Sequence, residues 1–167
     1  MGLYTKAVVE SLNQDDGEWQ IKDIGKIFTV PKSYQPHNGE FTEFPFSYQN
    51  YAISAFIADL RNRYGLTPLM EYRPLPDNHE LLSAQDPFGK SDHFSDYPSE
   101  FLDECSKRWT LVSELLSFDY DTTFRDLSNN DQITTYRDIL GEQYFLDLKV
   151  LEGLGEPDKT RVIWAFY

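Results

Sequence analysis

The chain has three imidazoles, His37, His79 and His93. His93 stands in Asp92-His93-Phe94-Ser95-Asp96. Carboxylates beside an imidazole raise its pKa and suit it to proton transfer or metal binding. No second histidine stands at ligand spacing, so the preferred reading is a histidine that ties down a loop by hydrogen bonds. Arg73 sits between Tyr72 and the rigid Pro74-Leu75-Pro76. A guanidinium there can hold a carboxylate or phosphate in a planar fork, or pair with one of the 28 acids of the chain. The internal pair is the favoured of the two. Together Arg73, Asp77, His93, Ser95 and Trp109 offer an aromatic face, a fork and a hydroxyl, a set that suits a nucleotide-type signal.

The remaining reactive residue types lack a setting. There is no G-x-S-x-G turn, no phosphate-binding loop and no G-x-G-x-x-G. The lone cysteine, Cys105, follows Asp103 and Glu104, and negative neighbours raise a thiol pKa and quench a nucleophile. Asp119 with Asp121, and Asp103 with Glu104, lack the spacing of a calcium loop. No catalytic residue, metal or cofactor is therefore assigned. The chain reads as a non-enzyme, with an acid/base site near His93 as the enzymatic alternative.

Charge narrows the partners. The 167 residues hold 15 bases against those 28 acids, a net charge of -13. Residues 77–158 alone carry 19 acids and 6 bases, which is the whole imbalance. Such a chain does not attract nucleic acid or an anionic membrane by its general field. A single cysteine excludes a disulfide framework, and no apolar run approaches a membrane span. No leader pattern opens the sequence, and Lys6 stands where an acylation signal requires Ser or Thr. A cytoplasmic protein is expected, with a homodimer permitted but not demanded.

The elements that must position these residues read as one α+β domain over 1–167. Leu3–Leu12 is rich in β-formers, and Asn13-Gln14-Asp15-Asp16-Gly17 turns it back into a second strand at Trp19–Ile21. A short strand is expected at Ile27–Val30. Apolar residues at helical spacing predict the main helix at about 47–64, with Ser47 as N-cap, Arg61 and Arg63 in the last turn and Gly65 beyond it. Leu69–Arg73 is a candidate strand, Trp109–Phe118 a strand end running into a short helix, and 119–132 a loop. Tyr136–Leu140 and Gln143–Glu152 are weaker elements. Thr160–Tyr167 has the composition of a strand pinned inside the fold. The expected architecture is a mostly antiparallel sheet holding both terminal strands, packed on the main helix and shorter ones. Phe41, Phe44, Phe46, Tyr48 and Tyr51 are assigned to the core, because base stacking needs basic neighbours and few stand nearby in sequence.

Four stretches carry a resemblance: Tyr51 to Asn62 (YAISAFIADLRN), Arg73-Pro-Leu-Pro-Asp77, Asp92-His93-Phe94-Ser95 followed by Trp109 and Glu114 to Tyr120 (ELLSFDY), and Arg161 to Phe166 (RVIWAF). In this order the chain resembles a family of small uncharacterised proteins encoded by bacteriophages and bacterial genomes. Pro74 replaces the family's glycine, and an insertion separates His93 from Trp109. The resemblance implies a phage accessory protein, a group that includes inhibitors of host defence.

The expected function is a non-enzymatic acidic interaction protein that binds and inhibits a host protein with a basic surface. The contacts are expected from Asp86, Asp92 and Asp96 as charges and Phe88, Phe94 and Tyr97 as apolar anchors. The alternative is capture of a nucleotide-type signal by Arg73, Asp77, His93, Ser95 and Trp109.

Overall fold

A computed structural model describes residues 3–75 and 107–166. The first strand, β1 (Thr5–Leu12), turns at Gly17, whose φ of 72° lies in the left-handed region, and pairs with β2 (Trp19–Ile21). Next come β3 (Phe28–Thr29), the short helix α1 (Gln35–Asn38), β4 (Phe41–Thr42) and the helix α2 (Tyr51–Ala58). In the second described stretch, β5 (Lys107–Leu111) runs straight into α3 (Val112–Ser117). A hairpin of β6 (Thr123–Asp126) and β7 (Gln132–Thr135) leads to α4 (Tyr136–Leu140) and α5 (Glu142–Glu152). The last strand is β8 (Thr160–Phe166).

The main sheet is antiparallel with order β2-β1-β8-β5. The fold is α+β, and the expected neighbours, the terminal strands, lie side by side at its centre from Thr5 opposite Phe166 to Ser11 opposite Thr160. Strand alternation then sorts their side chains. Ala7, Val9, Val162, Trp164 and Phe166 face the principal core, where Trp164 stacks on Phe46 at 4.8 Å between centroids. Val8, Ile163 and Ala165 face the other way, beneath Phe44, Leu75 and Trp109.

Three expectations are corrected. The main helix spans Tyr51–Ala58 rather than 47–64, and its N-cap is Asn50, whose side chain accepts from the Ala52 N–H at 2.9 Å. It stops because Asp59 turns left-handed (φ 56°), so neither Arg61, Arg63 nor Gly65 belongs to a helical end. No strand forms at 69–73. Residues 119–132, expected as a loop, contain β6 and the turn into β7. The Asp126 side chain organises that turn by accepting the Ser128 N–H at 2.9 Å and its hydroxyl at 2.5 Å. Among the described residues no helix is long and apolar enough to cross a membrane.

Candidate partner-binding surface

Of the sequence candidates, Arg73 and Trp109 fall within the described residues; Asp77, Asp86, Phe88, Asp92, His93, Phe94, Ser95, Asp96 and Tyr97 lie outside them. Arg73 and Trp109 do meet. The guanidinium stacks 4.4 Å from the Trp109 ring centroid. Its two terminal nitrogens each donate to one oxygen of Glu114 at 2.8 Å. Glu114 is itself fixed, because its Oε2 also accepts the Leu111 N–H at the start of α3. The internal pair is the one formed, and the fork is directed at Glu114. Arg73 and Glu114 rim an open cleft of about 300 Å³ with Leu69, Met70, Ser117 and Phe118.

Trp109 is one rung of a longer stack. On the opposite side of the sheet from Trp164, the Arg161 guanidinium lies 4.3 Å from the Trp19 ring and 5.7 Å from the Trp109 ring. Arg161 stands directly across from Glu10 in the β1–β8 register and donates to it at 2.7 Å, with both residues buried. Burial pulls the Arg161 pKa below its ordinary value, and the Glu10 hydrogen bond and charge oppose that pull. Sequence reading missed this pair, since only strand register brings residues 10 and 161 together.

The carboxylates of the described segment 107–158 divide into two populations. Glu114, Asp126 and Asp147 are held by internal bonds. Asp147 lies on the buried face of α5, where its Oδ2 accepts the Phe46 N–H at 2.7 Å and its Oδ1 accepts from Gln143 Nε2 at 3.2 Å. Burial pushes its pKa up to about 6, against the pull of those two hydrogen bonds. Asp119, Asp121, Asp131, Asp138, Glu142, Glu152, Glu156 and Asp158 are exposed. Asp121 pairs with Arg137 at 2.9 Å, and Glu156 with Lys159 at 3.0 Å. The hydrogen bond that Arg137 donates to Asp121, and the charges of Asp121, Asp119 and Asp138, raise the Arg137 pKa. One cation therefore sits among three carboxylates. The β6–β7 hairpin next to them exposes Leu127 and Ile133 at 61% and 62%; sequence reading had consigned Leu127 to a loop.

No family model matches the chain, and no curated protein or solved structure matches it. Among the described residues no group of three or more His, Cys, Asp or Glu side chains is placed to hold a metal ion.

Proposed function

We propose that this protein is a non-enzymatic binding protein that holds a partner with a basic surface. The observation that carries the reading is the adjacency, on 119–142, of exposed carboxylates and exposed apolar side chains. Asp119, Asp121 and Asp138 gather around one arginine, and Leu127 and Ile133 project from the neighbouring hairpin. Carboxylates steer a cationic partner and set its register, while desolvated apolar anchors supply most of the affinity. The internal engagement of Arg73 with Glu114 favours this reading over capture of a nucleotide-type signal by Arg73 and Trp109. A phage origin and inhibition of a host protein are the finer form of the proposal, supported by the resemblance of the four sequence stretches. The charged and aromatic residues of 86–97 extend the same acidic run in sequence.

The test is capture from bacterial lysate on the immobilised chain at low and high salt, read by mass spectrometry. A protein retained at low salt and released at high salt is expected. That protein should be lost when Asp119, Asp121 and Asp138 are changed to Asn together with Ile133→Ser, or when Asp86, Asp92 and Asp96 are reversed to Lys. Retention that is indifferent to salt and to both variants overturns the proposal.

A further inference from the structure

The β6–β7 hairpin is a sheet of two strands, and the fold treats its two edges differently. At the open end of the ladder the Tyr136 N–H donates to the Thr122 carbonyl at 3.2 Å. Antiparallel pairs alternate between bonded and non-bonded, so Phe124–Thr134 is the next bonded pair. The backbone groups of Thr123 and Arg125 therefore point away from β7. Those of Ile133, with the Thr135 N–H, point away from β6. The β6 edge is closed near its turn. There the Leu127 N–H donates to the Tyr64 carbonyl at 3.0 Å, and a Cβ on Gly65 would lie 2.6 Å from Leu127 Cδ1. The β7 edge has no such cover. Among the described residues no strand pairs with it on that side, and neither Ile133 nor Thr135 donates its N–H to a loop. Natural sheet edges are guarded by charged side chains or proline. β7 reads Gln132-Ile133-Thr134-Thr135, with neither, and its Ile133 side chain is exposed.

The surroundings select what can lie along this edge. Segment 119–142 carries six acids and two bases. Asp131 precedes β7, Asp138 stands in the first turn of α4 just beyond it, and both are exposed. A strand laid along the four residues of β7 covers about 13 Å and runs from one aspartate towards the other. Arg125, across from Ile133, is one strand farther from the edge, and Arg137 is engaged by Asp121. A second copy of this chain would bring its own charge of -13 and the same two aspartates to the edge. A cationic strand fits these surroundings.

We propose that β7 is the docking edge for an extended basic segment of the partner, which adds to the hairpin as a third strand. This rests on the reading of 119–142 as the partner surface and names the form the partner takes there. The Ile133 N–H donates to a carbonyl of the segment, and the Ile133 carbonyl accepts an N–H from it. A β-branched residue of the segment covers the Ile133 side chain, and Lys or Arg at its two ends pair with Asp131 and Asp138.

The probe is the blocked peptide Lys-Lys-Val-Thr-Val-Lys-Lys, titrated into the intact protein and followed by amide NMR and hydrogen exchange. Saturable shifts and slowed exchange are expected at the Ile133 and Thr135 amides, with affinity falling as salt rises. The same peptide with every backbone nitrogen methylated keeps its charges and should bind about tenfold more weakly or worse, a comparison that needs no variant. Ile133→Pro removes the outward N–H and should weaken binding more than Ile133→Ala, which keeps it. Undiminished binding of the methylated peptide, or equal loss in the two variants, assigns the contact to side chains; the edge is then overturned and the acidic-surface reading stands. Equal binding of a version with Glu for every Lys overturns the basic occupant. A concentration-dependent dimer of the protein alone that protects the same amides gives the edge to a second copy and overturns the proposal. Absence of saturable shifts with any of the peptides also overturns it, and the surface reading then answers to lysate capture alone.

Discussion

Both faces of the central sheet bury apolar side chains, and one of them buries an ion pair as well. On one face Val9, Val162, Trp164 and Phe166 meet Phe46 and the aromatic residues of α2 and α5 through shape and apolar area. On this face the Trp164 indole N–H donates to Thr110 Oγ1 at 2.9 Å. On the other face Glu10 and Arg161 are as thoroughly buried, and the cation lies against Trp19 and Trp109. Apolar packing degrades in proportion to the volume removed. A buried ion pair fails all at once when one member is lost, because the survivor stays charged and desolvated. The comparison therefore predicts where the sheet tolerates change and where it does not.

The sharpest break is Arg161→Ala, which leaves Glu10 buried without its cross-strand cation. A loss of about 3–5 kcal/mol in denaturant unfolding is expected. Replacing both members by methionine should restore most of that stability. If the double variant is as unstable as the single one, the pair is more than a matched charge.

A second test sets this paired carboxylate against Asp147, a buried acid on the opposite side of the sheet with hydrogen bonds but, among the described residues, no ion pair. Its pKa rises from 3.8 to about 6 on folding. Between these values the folded protein keeps a proton that the unfolded chain has released. The contribution is therefore fully present below about pH 4 and is lost as the pH rises through about 6. Asp147→Asn should remove that slope and raise stability at neutral pH by on the order of 2 kcal/mol, since one pKa unit is about 1.4 kcal/mol. Unfolding titrations from pH 4 to 8 check it. A steep slope retained in the variant would assign the proton to another group.

The smallest effect belongs to the outer rung of the stack. Arg73→Ala removes the bidentate bond to Glu114 and the contact with Trp109, but both charged side chains are about a third exposed, at 29% and 30%. Solvent screening limits the expected loss to about 1 kcal/mol. A loss as large as that of Arg161→Ala would show the stack to be one cooperative unit rather than a buried pair with an exposed extension.

Much of this fold was legible where local composition and tertiary demand agree. The β-rich termini, the turn at 13–17 and the helical spacing of Phe145, Leu148 and Leu151 in α5 follow from residue types alone. The main helix was overextended because Leu60, Arg61 and Arg63 continue a helical pattern. The bonds that stop it come from Asn62 and Leu66, farther along the chain. The β6–β7 hairpin was hidden because its strands are four residues long and mostly exposed; Phe124, packed 5.1 Å from Tyr136, is its principal anchor to the core. The Glu10–Arg161 pair was invisible for a different reason. It depends on strand register, which residue spacing does not encode.

The strands that form the middle of the sheet come from opposite ends of the chain, with Glu10 paired across 151 positions to Arg161. Loop closure over such a distance must precede any gain from the contact, so folding is expected to be slow for a protein of this size. It also bears on synthesis. While β8 remains inside the ribosome, β1 and β5 have nothing to join them, and a nascent chain stalled short of residue 160 emerges with its central sheet still unmade.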